Sequence, residues 1–384
     1  MARGPGPAAG RIGRADEAVV PHLSPGPRHA DWRPLRSVPD PGWAKAVNLL
    51  SVAALIVVLG FAFMLGVSDA PNASASLIAA RASSYRGAMV FAFAFHVLGG
   101  LLAGQAVALT MVTLVHVPAD RVALTYLAGG LATIAFTLAA TRRGIPVSAS
   151  IGLVGGLAGA AAVIGGWRAV GWGGMHGTSP YGVIGTLAAV LLSPILGAVV
   201  AAAFRRGLQP IARRATRSSI HPVRGLIWLT AGLVAIADGS NDGQKAMGLA
   251  TGLLVAAGAI SRFQVPFLVT AAVAVTLATG TAVGGRKIVR TVSSRFYRGG
   301  PLDGLAAQAA AALTILGSSV VGAPVSTSTI VASGMVGVGA ARRRRHVHWP
   351  TVVRVVGAWV ITVPACAILG AGLAAMGAAL LGHP

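Results

Sequence analysis

Gly239-Ser240-Asn241-Asp242-Gly243-Gln244-Lys245 stands between two long apolar runs, Gly225 to Ala237 and Ala246 to Ile260. A carboxylate and an ammonium held in hydrocarbon are costly, so ionisable residues at such a depth mark a functional site. The glycines and small polar residues around them predict a membrane helix that breaks here and exposes backbone groups near the midplane. An imperfect second copy lies at Gly66-Val67-Ser68-Asp69-Ala70-Pro71-Asn72-Ala73. Two matched interruptions in one chain are the pattern of a transporter built from repeats.

Composition sets the class. The chain has 384 residues, of which 55% are hydrophobic and 10% charged, with a mean hydropathy of +0.75. A soluble domain carries about 25% charged residues, so an integral, multi-pass protein of the cell membrane is expected. The formal charge of +22 comes from 31 basic and 9 acidic residues. The basic residues cluster between apolar runs, with neither a basic–aromatic pattern nor a nucleic-acid motif. They read as loops facing anionic lipids, and no nucleic-acid partner is expected. Cys366 is the only cysteine, which excludes an internal disulfide and a CxxC metal site.

Runs of about 20 apolar residues divide the chain. Residues 1–46 form a basic, Pro- and Gly-rich tail read as disordered, 47–204 a first transmembrane unit, 205–224 a basic cytoplasmic linker and 225–384 a second transmembrane unit. About 10–12 membrane segments are expected in an all-α protein. Candidate spans include Gly87–Val115, Val147–Ile164 and Val325–Ala340. Placing the basic connections Arg81/Arg86, Arg142/Arg143, Arg205–Arg224, Arg286–Arg298 and Arg342–Arg345 inside makes the two units run in opposite directions, an inverted repeat. A second motif agrees: Pro146-Val147-Ser148-Ala149-Ser150 answers Pro324-Val325-Ser326-Thr327-Ser328-Thr329. Asp69 lies 79 residues before Ser148, and Asp242 lies 84 before Ser326. Two different motifs in one order at nearly equal spacing point to duplication.

The chemistry follows from residue type. Asp69 and Asp242 offer hard oxygens for sodium or a site for a proton, and Asn72 and Asn241 add neutral oxygen. Asp242 paired with Lys245 as a structural ion pair is the bland alternative. Ser148, Ser150, Ser326, Thr327 and Ser328 follow a proline at a helix start, where hydroxyls stand beside free amides and suit a tetrahedral oxyanion, with Lys245 as countercharge. Ordinary helix–helix hydrogen bonding is the alternative there. His96, Gln105, Thr281 and Gln308 lie within spans where they could line a path, but read better as satisfied packing residues. Neither a nucleophile–base pair nor a metal-ligand set occurs at motif spacing, so the chain does not read as an enzyme, and no cofactor or metal is expected beyond a coupling Na+ or H+.

At these residues the chain resembles the inorganic phosphate transporter (PiT) family. Ala237 to Gly248 looks like that family's second signature, and agreement extends through Gly284–Val289, Pro324–Ser328, Gly337–Gly339 and Trp359–Pro364. In the first half Ser68-Asp69-Ala70-Pro71-Asn72-Ala73 stands where the family has Asn-Asp-Gly-Ala-Asn-Ala. The family's Ser-Thr-Thr-His becomes Ser148-Ala149-Ser150-Ile151 and Ser326-Thr327-Ser328-Thr329. The resemblance implies phosphate symport driven by a sodium or proton gradient, with phosphate at the Ser/Thr motifs and cations at the Asp and Asn residues. Sulfate or another oxyanion, or a transport-inactive scaffold or sensor, are the alternatives. Inorganic phosphate and membrane lipids are the expected partners, and a homodimer is compatible with the pattern.

Overall fold

Lipid offers backbone groups no hydrogen bonds, so apolar runs of this length must close their own as helices. The computed structural model describes Met1 and residues 49–143, 145, 147–210, 220–284, 300–342, 347 and 349–382. Among them are eleven α-helices: α1 (Leu49–Ala79), α2 (Tyr85–Leu101), α3 (Ala106–Val112), α4 (Ala119–Arg142), α5 (Ala149–Gly165), α6 (Gly182–Gly207), α7 (Ile220–Ala256), α8 (Phe267–Val283), α9 (Pro301–Val320), α10 (Thr327–Arg342) and α11 (Trp349–Leu380). An antiparallel pair of short strands, Gly174–His176 and Ser179–Tyr181, forms a hairpin before α6. The segment 1–46, apart from Met1, and the basic stretches 286–298 and 343–345 lie outside the described residues.

The expected breaks at the two aspartate motifs do not occur. α1 runs unbroken through Ser68–Ala73 with Pro71 inside it, and α7 runs unbroken through Gly239–Lys245. The polar side chains of these stretches find partners on neighbouring helices, so the backbone has no need to unwind. The glycines serve close approach instead: a Cβ on Gly239 would meet the His96 backbone, and one on Gly248 the Ala108 backbone.

The breaks lie elsewhere. α2 and α3 are bent by 77° across a short gap. α5 has 17 residues and α10 has 16, about 25 Å each at 1.5 Å per residue, too short to span fully upright. Both are preceded by non-helical chain at the serine motifs. Among the described residues five helices are long and apolar enough to cross a bilayer, or six if the bent pair counts as one span, with α5 and α8 as shorter apolar helices, against the 10–12 segments expected. α6 continues to Gly207 and α7 is described from Ile220, with residues 211–219 of the expected linker outside the described residues.

Small residues bring the helices together. α5 lies along α11, where a Cβ on Gly155 or Gly159 would strike the Val363 or Ala367 carbonyl. α10 lies along α6 with Gly337 against Ala198, α1 along α8 with Gly66 against Leu277, and α2 along α7 with Gly99 against Ile236. α1 and α7 run antiparallel through the centre: Asn72 bonds Asp238 midway, and Arg224 Nε bonds the Ala80 carbonyl at 3.3 Å at one end. That end buries Leu77, Ala88, Ile227 and Leu305 together. Arg81, Arg86, Arg205 and Arg224 gather around it, which makes this the basic end.

Candidate functional site

Helix geometry places Asp238, Asp242 and Lys245 on one face of α7, four and three residues apart. Asp69 and Asn72 occupy the facing turn of α1. These five residues and Asn241 are all buried, none more than 3% exposed. Lys245 Nζ bonds the Asp242 carboxylate, Ser150 Oγ at 2.8 Å and the Val325 carbonyl. An ammonium has three protons, so all three are spent. One lysine therefore ties α7 to the first turn of α5 and to the chain entering α10.

Both helix starts are built to present donors. Ser148 caps α5, its hydroxyl accepting from the Ile151 amide at 3.3 Å. The first amides of each helix, from Ala149 in α5 and from Thr327 in α10, have no intrahelical acceptor by geometry, and the helix dipole makes these ends positive. The Thr327 hydroxyl lies 2.9 Å from Asp69 Oδ1 and 3.0 Å from Asp242 Oδ2. It has one proton, so it donates to one carboxylate at a time.

Asn72 Nδ2 donates to Asp69 Oδ1 at 3.0 Å and to Asp238 Oδ2 at 2.9 Å, bridging two carboxylates with one amide. Asp69 Oδ2, Asp238 Oδ1 and His96 Nε2 are buried with no hydrogen-bond partner among the described residues. Asn241 points elsewhere. Its Nδ2 donates to Ser319 Oγ at 2.9 Å and the Ala323 carbonyl at 3.1 Å, and its Oδ1 accepts from the Val325 amide at 3.2 Å. It holds the loop that delivers α10 to the site.

Of the residues singled out from sequence, Asp69, Asn72, Asp242, Lys245, Ser150 and Thr327 join one hydrogen-bonded network. Ser148 and Ser326 are buried beside it at the two helix starts, and Ser328 is half-buried and contributes none of these bonds. Gln308, Thr281 and Gln105 bond neighbouring groups in packing roles: Gln308 accepts from Thr230 and donates to the Asn72 and Ala73 carbonyls. Asp238 is not singled out from the sequence, and His96 reads there as a packing residue rather than as a neighbour of this network. The four-residue step from Asp238 to Asp242 was the available signal for the first; nothing in the sequence brings His96 to it.

Buried charges of both signs at the meeting of two helix N-termini, inside helices long enough to cross a bilayer, define the class of membrane transporters. Residues 65–370 match the phosphate transporter family, and the chain belongs to that family. A probable low-affinity inorganic phosphate transporter of Rhizobium meliloti (strain 1021) is 32% identical over 324 residues, covering 84% of this chain and 95% of the relative. Its counterpart in Bacillus subtilis (strain 168) is 32% identical over 326 residues, covering 84% and 96%. A solved structure described as the sodium-dependent phosphate transporter matches with a TM-score of 0.73 at 20% identity, over 85% of this chain and 98% of that one, which is a likeness of fold. The relatives are transporters rather than enzymes.

Proposed function

We propose that this protein carries inorganic phosphate across the cell membrane by secondary active transport coupled to a cation gradient. The observation that supports this best is the convergence of the α5 and α10 starts on Lys245, beside Asp69 and Asp242. A tetrahedral anion of one or two charges needs many donors and a countercharge, and this meeting point offers both. In the proposed bound state, phosphate takes over Lys245 donors now spent on Ser150 and Val325. It is held by Lys245 with hydroxyls and amides of Ser148, Ser150, Ser326, Thr327 and Ser328. The coupling cation sits at oxygens of Asp69, Asn72 and Asp242, with Asn241 of α7 supporting the site by holding the loop before α10. Phosphate is favoured over sulfate because it retains a proton near neutral pH that it can donate to a carboxylate.

The two halves are inferred to be an inverted repeat. The pairing of α1 with α8 is matched by that of α7 with α2, and α5 with α11 by α10 with α6. The antiparallel course of α1 and α7 agrees with this symmetry. A cavity of about 270 Å³ bordered by Thr110, Thr113, His176 and Gly322 lies next to the loop that leads to Val325. It is proposed as the approach from the outer face.

The test is reconstitution into vesicles with labelled phosphate or sulfate under imposed sodium or proton gradients. Gradient-driven phosphate uptake is expected, and Asp242→Asn is expected to abolish it while folded protein remains in the membrane. Uptake of neither anion would remove the proposal, and uptake of sulfate alone would reassign the substrate.

A further inference from the structure

Three buried carboxylates share the core with one buried lysine. Lys245 is committed to Asp242, which leaves Asp69 and Asp238 without a cation in hydrogen-bonding contact among the described residues. Uncompensated buried charges are severely destabilising, so additional positive charge or protons must be accommodated. His96 faces Asp238 from α2. Its Nε2 lies 3.9 Å from Asp238 Oδ2, both side chains are fully buried, and its backbone meets α7 where Gly239 permits close approach. Its Nδ1 is 2.8 Å from the Ala92 carbonyl, which can only accept, so Nδ1 carries a hydrogen. The remaining nitrogen, Nε2, is directed at a carboxylate and has no hydrogen-bond partner among the described residues, nor does Asp238 Oδ1.

We propose that Asp238 and His96 form a proton-binding site of the transport cycle, separate from the oxygens around Thr327 and occupied together with the anion. The dyad holds one proton in either of two arrangements. It is a carboxylic acid beside a neutral imidazole, or a carboxylate beside an imidazolium whose Nε2–H points at it. Both are neutral overall. Loss of the proton leaves one negative charge, which Asn72 connects to Asp69 and Thr327 connects to the α10 start. Loading the proton therefore removes a repulsion felt at the proposed phosphate site, and binding the anion raises proton affinity in return. The titratable and charged groups facing the dyad are Asp69 from α1 and Asp242 and Lys245 from α7. α3 and α8 contain none, Arg342 and Asp303 of α10 and α9 lie at the basic end, and Tyr126 of α4 sits further along α7, beside Gly252.

The proposal rests on the transport function above, and two measurements separate their failures. In vesicles, wild-type protein is expected to accumulate phosphate under an inward proton gradient. Asp238→Asn and His96→Gln are expected to lose that accumulation and to retain phosphate exchange at a reduced rate, which also demonstrates folding. Accumulation by Asp238→Asn equal to wild type would overturn the dyad. Independently of transport, infrared difference spectra between acidic and alkaline buffer are expected to contain a carboxyl band and imidazole bands from this pair. The carboxyl band should vanish in Asp238→Asn, and the imidazole bands in His96→Gln. Spectra unchanged by both substitutions would overturn the proton site whatever the vesicles do, whereas wild-type protein with these bands and no phosphate exchange would sink the transport function alone.

Discussion

Lys245 is the side chain on which the site depends, because it is buried to 1% exposure and has all three protons in use. Removing one member of a buried ion pair leaves the other uncompensated and costs about 3–5 kcal/mol, whereas removing both can be nearly neutral. Lys245→Met is therefore expected to lower the melting temperature of the detergent-solubilised protein sharply. Adding Asp242→Asn should recover much of the loss without restoring phosphate uptake. Thermal unfolding of the two variants beside uptake measures this, and a double variant no more stable than the single one would contradict the pairing. The sequence announced Asp242 and Lys245 through their cost in hydrocarbon. It did not announce that Asn241 next door faces the other way, toward Ser319 and Val325, since that depends on where the loop before α10 runs.

At the scale of helices, the glycines have two different jobs that look alike in the sequence. Gly159 in α5 meets α11 so closely that a Cβ would strike the Ala367 carbonyl, while Gly317 in α9 has open space around it. Gly159→Ala is expected to separate the two helices and reduce both melting temperature and yield. Gly317→Ala should be neutral or stabilising, by up to about 1 kcal/mol from helix propensity. Equal behaviour of the two variants would show that the α5–α11 contact is not tight. This ambiguity also explains the misplaced helix breaks. Gly239, Gly243 and Pro71 suggested unwinding at the carboxylates. They instead sit within continuous helices, and non-helical chain occurs at the serine motifs, where two helices start beside Lys245. Run length and hydropathy made the helices legible, but they cannot distinguish a full span from a helix that starts inside the protein.

For the whole molecule, the basic face is closed by one carboxylate. Asp303 Oδ1 bonds Arg205 Nε at 2.5 Å, and its Oδ2 bonds Arg342 Nη1 at 3.1 Å, tying α6 and α10 to the start of α9. Arg205 is 12% exposed and Arg342 48%, so their contributions differ. Arg205→Gln is expected to cost about 1–3 kcal/mol and Arg342→Gln less than about 1 kcal/mol, read as melting temperatures. A larger loss for Arg342→Gln would reverse that order. The orientation has its own check: a membrane-impermeant thiol reagent on intact cells should label Ser179→Cys in the hairpin and spare Arg86→Cys at the basic end. Labelling of Arg86→Cys alone would invert the topology. The membrane class, the helical content and the order and spacing of the aspartate and serine motifs were determined by the sequence itself, because hydropathy, charge and motif spacing are properties of the chain. Which carboxylates share a donor, that Thr327 stands between Asp69 and Asp242, and that His96 meets Asp238 were decided only by tertiary structure. Apart from the local Asn72–Asp69 bond, those contacts join residues 85 to 258 positions apart, and no local periodicity records which faces of distant helices will meet.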